Sequence, residues 1–268
     1  MIEWRFIDSG PCTASYNMAL DEAIAIWVQK ASSPPTLRLY GWDRTSVSLG
    51  AFQKIGDVNQ RFCKDNDIPV VRRPTGGRGI LHGDELTYSF SAGNNGPFSG
   101  GLLDSYSRLS NALKSALEAL DINVTMKDTR ESGRTLNRSA LCFGSVSYGE
   151  ISLSSRKLVG SAQKRWKDGF LQQGSLPYAV DEESTRKAFN LPRAAAVMDR
   201  MIGLREVLPH LDPERLKEAI LVSFEKAFGI SFLCQGPSPE EDRLARELAA
   251  QKYRYPQWGP GQDRHPEG

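Results

Sequence analysis

The sequence predicts an α+β fold, in which short strands and amphipathic helices are interspersed along the chain and helices close it. Three observations carry that expectation. Runs of strand length, apolar or alternating, occupy residues 4–8, 36–40, 45–49 and 86–90. Apolar residues recur at helical spacing in Tyr16, Ala19, Leu20, Ala23, Trp27 and Val28, and again in Tyr106, Leu109, Leu113, Ala116, Leu117 and Leu120. A glycine-rich string, Gly76, Gly77 and Gly79, lies between two predicted strands.

Composition narrows the class. A chain of 268 residues and 29.7 kDa buries one large core, with room for a small appendage. Its 40% hydrophobic and 25% charged content is that of an ordinary soluble globular protein, and a net charge of +2 gives no reason to expect a nucleic-acid or membrane partner. No apolar run reaches the roughly 18 residues of a membrane-spanning helix. The N-terminal stretch, with Glu3, Arg5 and Asp8, lacks a signal-peptide pattern. Cys12, Cys63, Cys142 and Cys234 are far apart without a C-x-x-C pair, and His82, His210 and His265 are scattered. The expectation is a cytoplasmic protein with reduced thiols and no metal.

In chain order, Ser15 is placed to cap the first helix. Residues 36–40 form a strand with Leu37 and Leu39 inward, and Phe52 reads as core. Asp57 is placed to cap a short helix through Cys63 and Lys64, with Cys63 an inert core thiol. The central string runs from an apolar strand at residues 69–71 into Arg72 and Arg73, the glycines, and a strand whose Leu86, Tyr88 and Phe90 share one face. Glycines there let the backbone take φ > 0 and approach a ligand with exposed N–H groups. Arg72, Arg73, Arg78 and His82 offer charge to a carboxylate, phosphate or acyl carbonyl. Taken alone, the string reads first as a glycine-rich hairpin with solvated arginines, ahead of a ligand loop. It is neither a Walker A sequence nor G-x-G-x-x-G before a helix, so no nucleotide motif follows.

The second half carries a second candidate region. Residues 122–124 read as a brief strand. Residues 125–140, with Arg130, Arg134 and Arg138, lack periodicity and read as a mobile basic loop, either a binding loop or a surface insertion. After Cys142, residues 146–153 alternate, 154–156 turn, and 157–162 run back as a strand. Lys157 lies 15 residues after Cys142, and a hairpin can bring the two together. A lysine ammonium beside a thiol favours the nucleophilic thiolate. Without that pairing, Lys157 is a solvated hairpin-tip charge and Cys142 a buried thiol. Residues 182–190 form a short helix, and 191–202 a connector. Asp212 with Pro213 opens a helix through Phe228, with Leu216, Ile220, Phe224 and Ala227 inward. Residues 238–241 open another through Lys252, and the tail from Trp258 is polar and disordered. The expected division is a main domain over 1–230 and a C-terminal helix with its tail over 231–268.

Several blocks together resemble a known family. Arg-Arg-Pro-Thr-Gly-Gly-Arg-Gly-Ile-Leu-His, ending at His82, is similar to the signature of the lipoate-protein ligase and octanoyltransferase family, which shares its catalytic domain with biotin ligases. The stretches at residues 17–21 and 50–53 are also family-like. Lys157-Leu158-Val159-Gly160-Ser161-Ala162-Gln163 resembles the family's second motif, whose lysine is the central catalytic residue. Cys142-Phe143, then Tyr148 and Glu150, then Arg156-Lys157, is similar to octanoyltransferases of the LipM type, in which a cysteine at that place carries the acyl thioester. One departure is visible: the histidine is usually followed by an acidic residue, and here Gly83 follows, with Asp84 one place later.

The resemblance, over about residues 1–230, implies a biotin/lipoate ligase-like catalytic domain with mixed sheets flanked by helices, plus a small C-terminal helical cap. It implies transfer of octanoyl from acyl carrier protein to a lysine of a lipoyl-domain protein, such as the glycine cleavage H protein, by a monomer that needs no ATP or other cofactor. Cys142 and Lys157 are the implied catalytic pair. Arg72, Thr75, Gly76, Gly77, Arg78, Gly79 and His82, with Gly160, Ser161 and Ala162, are the implied substrate-binding set. Arg130, Arg134, Lys164, Arg165 and Lys167 read first as a solvated charged face, and otherwise as candidates for docking acidic acyl carrier protein. Three other readings stay open: an ATP-dependent lipoate ligase in which Cys142 is incidental, an amidotransferase moving octanoyl between lipoyl-domain proteins, and a non-catalytic binder of lipoyl domains.

Overall fold

In the computed structural model, residues 2–127, 149–192 and 197–254 are described. Cys142 and the basic loop residues Arg130, Arg134 and Arg138 lie outside the described residues, as does the tail from residue 255.

The main sheet has eight strands. In chain order these are β1 (Ile2–Cys12), β2 (Thr36–Trp42), β6 (Glu85–Gly93), β7 (Thr125–Met126), β8 (Ile151–Leu153), β9 (Arg156–Arg165), β10 (Gly169–Pro177) and β11 (Ile230–Cys234). Their spatial order is β11-β1-β2-β6-β10-β9-β8-β7. The first three run parallel and the rest antiparallel, so the sheet is mixed. A smaller sheet of β3 (Ser46–Leu49), β4 (Val70–Arg72) and β5 (Ile80–His82) is ordered β4-β3-β5. Helices α1 (Ala14–Gln29) and α6 (Pro239–Gln251) lie on one face of the main sheet, and α3 (Leu102–Glu118) and α5 (Pro213–Phe228) on the other. Short helices α2 (Gln60–Asp65) and α4 (Glu182–Ala188) cover the small sheet. This is the α+β architecture expected.

Because both faces are covered, the central strands are buried on both sides. Leu86, Tyr88 and Phe90 of β6 enter the core under α3 and α5, as their alternation predicted, with Trp4, Phe98, Phe170 and Phe224. The opposite face of the same strands is polar yet equally buried beneath α1: Arg38, Tyr40, Thr87, Ser89 and Gln173 are all 5% exposed or less. Buried polar groups must be hydrogen-bonded, and here one carboxylate organises them. Asp21 of α1 accepts from Arg38 Nη1 at 2.7 Å, Ser89 Oγ at 2.6 Å, Tyr40 OH at 2.8 Å and Gln173 Nε2 at 2.7 Å.

Local signals gave the starts of the last two helices. Asp212 caps α5 with Pro213 first, and Ser238 forms a capping box with Glu241 at α6, as expected. Two caps differ: Thr13, not Ser15, caps α1, and Asn59, not Asp57, caps α2, because residues 55–57 form a separate 3₁₀ turn. The brief strand expected at 122–124 falls instead at β7, since Ile122 and Val124 are drawn into the core without pairing. Phe52, expected in the core, is 79% exposed on a turn. The boundary expected at 230 falls on the first residue of β11, which pairs with β1, and α6 packs on α1. Arg5 of β1 donates to both oxygens of Glu241 in α6, at 2.7 and 2.6 Å.

Candidate active site

The glycine string lies on the small sheet, held from within by its two arginines. Arg73 Nη2 donates to the carbonyls of Gly76 and Arg78, each at 2.7 Å, and Nη1 to Ser48 Oγ at 3.1 Å. Arg72 Nη1 donates to the carbonyls of Gly50 at 2.9 Å and Gln53 at 2.5 Å. Both guanidinium groups are buried, so their charge is spent on carbonyls that the irregular loop leaves unpaired. Gly50 has to be glycine, because a Cβ there would stand 1.9 Å from the Gly77 carbonyl oxygen. Thr75 Oγ1 donates to Gln173 Oε1 at 2.8 Å, which ties the loop to β10 and, through Gln173, to Asp21.

His82 closes the string. Its ring stacks on Trp42 with centroids 3.9 Å apart, its Nε2 lies 2.7 Å from Ser48 Oγ, and its Nδ1 lies 2.8 Å from Glu85 Oε1. Thr87 Oγ1 also donates to Glu85, and accepts from Trp42 Nε1 at 2.8 Å. The carboxylate at this point is therefore Glu85. Asp84 turns away to pair with Arg205.

Beside this network is a slot with about 360 Å³ of empty volume. Its walls bring together His82, Gly160, Ser161 and Ala162 from the expected set with Met18, Tyr40, Trp42 and Ile80. Arg73, Ser48, Thr87, Gln173, Gly174 and Ser175 complete it. A largely apolar slot with a few polar groups suits an acyl chain ending in a carbonyl. Gly160, Ser161 and Ala162 are in register with Ser175, Gly174 and Gln173 across β9 and β10. Gly174 admits the Tyr88 ring, which a Cβ would meet at 2.2 Å. Tyr88 OH lies 2.7 Å from Ser161 Oγ, and burial pushes its phenol up to about 12. Arg72, Thr75, Gly76, Gly77, Arg78 and Gly79 do not line the slot; they shape the small sheet behind it.

Lys157 is no hairpin-tip charge. Its side chain is fully buried and ion-paired with Glu150, while its backbone N–H donates to the Arg200 carbonyl at 2.7 Å. It sits on β9 three residues before Gly160, and is not a lining residue of the slot. Of the basic docking candidates, Arg165 is committed to the Ser105 hydroxyl at 3.1 Å and the Phe98 carbonyl at 2.8 Å. Cys63 is buried, and burial pushes its thiol up to about 11. Among the described residues, no group of three or more His, Cys, Asp or Glu is placed to hold a metal ion, and no helix is long and apolar enough to cross a membrane.

Sequence reasoning missed Ser48, Trp42, Glu85, Gln173 and Ser175. The available signal was polar residues at helical spacing, Asn17 and Asp21, inside the apolar stripe of α1. They required polar partners from a sheet face.

Comparison with known proteins follows the same geometry. The family described as the lipoyl protein ligase A/B catalytic domain matches residues 13–225. The protein named Octanoyltransferase LipM of Halalkalibacterium halodurans is 35% identical, covering 96% of this chain and 99% of the relative. Octanoyltransferase LipM of Moorella thermoacetica is 36% identical, over 95% and 97%. Among solved structures, lipoate-protein ligase A bound with ATP superposes with a TM-score of 0.82 at 21% identity, covering 96% of this chain and 98% of that one. The bipartite lipoate protein ligase of Thermoplasma acidophilum, described with its E2 lipoyl domain, gives 0.81 at 20% identity, covering 99% of both. The chain thus belongs to the lipoyl protein ligase A/B catalytic-domain family, among its LipM-type octanoyltransferases.

Proposed function

We propose that this protein is an acyltransferase that moves octanoyl groups in protein lipoylation. It takes octanoyl from the thioester of acyl carrier protein and delivers it to one lysine of a lipoyl-domain protein. The observation that carries this reading is identity of about 35% to proteins named Octanoyltransferase LipM along almost the whole chain. A largely apolar slot beside the Gly160–Ala162 backbone supports it.

The mechanism we infer has two steps. Cys142 thiolate attacks the octanoyl thioester and the carrier thiol leaves; the acceptor amine then attacks the octanoyl-cysteine. Lys157, a cation held by Glu150, favours the thiolate. Backbone N–H groups of Gly160 to Ala162 hold the developing oxyanion. Both steps exchange an activated acyl group, so ATP is not consumed. The protein acts as a cytoplasmic monomer.

The test is intact-protein mass after incubation with octanoyl-acyl carrier protein without ATP. A hydroxylamine-labile octanoyl adduct in wild type, absent in Cys142→Ala, is the expected result. Modification of a lipoyl domain only when ATP and octanoate are added would overturn it in favour of a ligase.

A further inference from the structure

The floor of the slot is one row of the main sheet. Register sets Tyr40 of β2 opposite Thr87 of β6, Thr87 opposite Ser175 of β10, and Ser175 opposite Gly160 of β9. Residues directly opposite one another share a face of the sheet, and all four line the slot. The neighbouring row, Arg38, Ser89, Gln173 and Ala162, is different. Asp21 of α1 takes hydrogen bonds from its first three members, so the helix closes over that row and the space lies above the first.

Along the floor the side chains shrink in one direction, from tyrosine through threonine and serine to glycine. The two ends also differ in exposure. Tyr40 is 1% exposed and Trp42 beside it is buried, whereas Ser161 and Ala162, next to Gly160, are half-buried. The mouth is therefore at β9 and the blind end at β2. There the Tyr40 ring is fixed, since its hydroxyl donates to Asp21 at 2.8 Å and the Arg38 guanidinium lies 4.0 Å from its centre.

The lengths agree. Neighbouring strands are about 4.8 Å apart, so two spacings reach about 9–10 Å, from Gly160 to Thr87, and the Tyr40 ring occupies the third. An extended octanoyl chain, with single bonds of about 1.5 Å at tetrahedral angles, is about 9 Å long.

We infer that this row measures the acyl chain, with Tyr40 as the stop that sets its length and Ser175 as the small residue that keeps the path open midway. This rests on the transferase reading above. The Ser175 hydroxyl is buried and has no hydrogen-bond partner among the described residues, so its replacement breaks no bond there. A β-branched side chain at Ser175 suits a strand and stands in the path. A shorter side chain at Tyr40 lengthens the path beyond Thr87.

The experiment uses full-length wild type, Tyr40→Leu, Tyr40→Phe and Ser175→Val. Each is given an equal mixture of hexanoyl-, octanoyl-, decanoyl- and dodecanoyl-acyl carrier protein with a lipoyl domain, without ATP, and the modified domain is read by intact mass. Tyr40→Phe loses the same bond to Asp21 as Tyr40→Leu but keeps the ring, so it separates length from damage to the network. Wild type is expected to favour octanoyl. In Tyr40→Leu the ratio of decanoyl to octanoyl product rises at least tenfold. Tyr40→Phe keeps the wild-type order of preference, whatever its rate. In Ser175→Val the ratio of hexanoyl to octanoyl product rises at least tenfold, and this variant decides alone if Tyr40→Leu is not recovered folded. A profile unchanged in Ser175→Val or in folded Tyr40→Leu, or a Tyr40→Phe profile that moves with that of Tyr40→Leu, overturns the assignment while leaving the transferase reading intact. Wild type that transfers none of the four chains overturns both.

Discussion

His82 Nδ1 lies 2.8 Å from Glu85 Oε1, three residues on, while the adjacent Gly83 contributes no side chain and Asp84 pairs with Arg205 instead. The arrangement is satisfied when Nδ1–H donates to Glu85 and the Ser48 hydroxyl donates to Nε2, with Ser48 Oγ accepting from Arg73. One carboxylate thereby fixes the ring that walls the acyl slot. Glu85→Ala leaves His82 and Thr87 without their buried partner, at a cost of about 1–3 kcal/mol each. Asp84→Ala removes a half-exposed pair and costs about 1 kcal/mol or less. Thermal melts should therefore rank Glu85→Ala well below Asp84→Ala, and an equal shift would show that Glu85 does not organise this wall.

Gly50 and the Gly77 carbonyl are in contact that no side chain can enter. Gly50→Ala displaces the glycine string and, with it, the Arg73 and Thr75 anchors of the slot. We expect soluble protein whose kcat/KM for octanoyl transfer falls at least tenfold, measured beside the melting temperature. Wild-type turnover would mean the string moves freely relative to the site.

Lys157 and Glu150 form a buried ion pair, and removing one partner of such a pair costs about 3–5 kcal/mol. For a chain of this size that corresponds to a drop of roughly 6–20 °C in Tm. Lys157→Ala and Glu150→Ala should both show it. The double variant Glu150→Gln with Lys157→Met should recover much of the stability and none of the octanoyl transfer, since the cation is gone. Recovery of transfer in the double variant would assign Lys157 a purely structural role.

The Arg5–Glu241 pair predicts how stability varies with acidity. Burial alone raises the Glu241 carboxyl, but the Arg5 guanidinium and the Ser238 N–H outweigh it and hold the carboxyl below its ordinary 4.5. A carboxylate lowered in the folded state stabilises fully above its unfolded value and loses that contribution as pH falls through the folded one. Glu241→Gln should thus melt below wild type at pH 7, with the gap closing progressively below about pH 4.5. A gap that persists unchanged at pH 3 would show that the carboxylate charge is not what docks α6.

What was legible in the sequence was local. Asp212-Pro213 and Ser238 with Glu241 announce helix starts because a cap and its recipients lie within three residues. Leu86, Tyr88 and Phe90 announce a core strand because alternation is written into the chain. The polar side of the slot depends on partners far apart: Ser48 meets His82 across 34 residues, Thr75 meets Gln173 across 98, and Asp21 meets Gln173 across 152. No window of the sequence holds both members of such a pair. Phe52 is exposed against the expectation of a core position for the same reason, since the exposure of an aromatic is set by what folds over it.

The pairing of β1 with β11 has a consequence for synthesis. The open side of β1 stays without its outer neighbour until β11 is made, 218 residues after Cys12. At ribosomal rates of roughly 5–20 residues per second, that leaves the open side of β1 waiting for about 10–45 s. During that interval it is an unpaired, largely apolar edge, the feature on which nascent chains stick to one another. The protein's yield in a cell should accordingly respond to translation speed and to chaperones that shield strand edges, more than its finished stability would suggest.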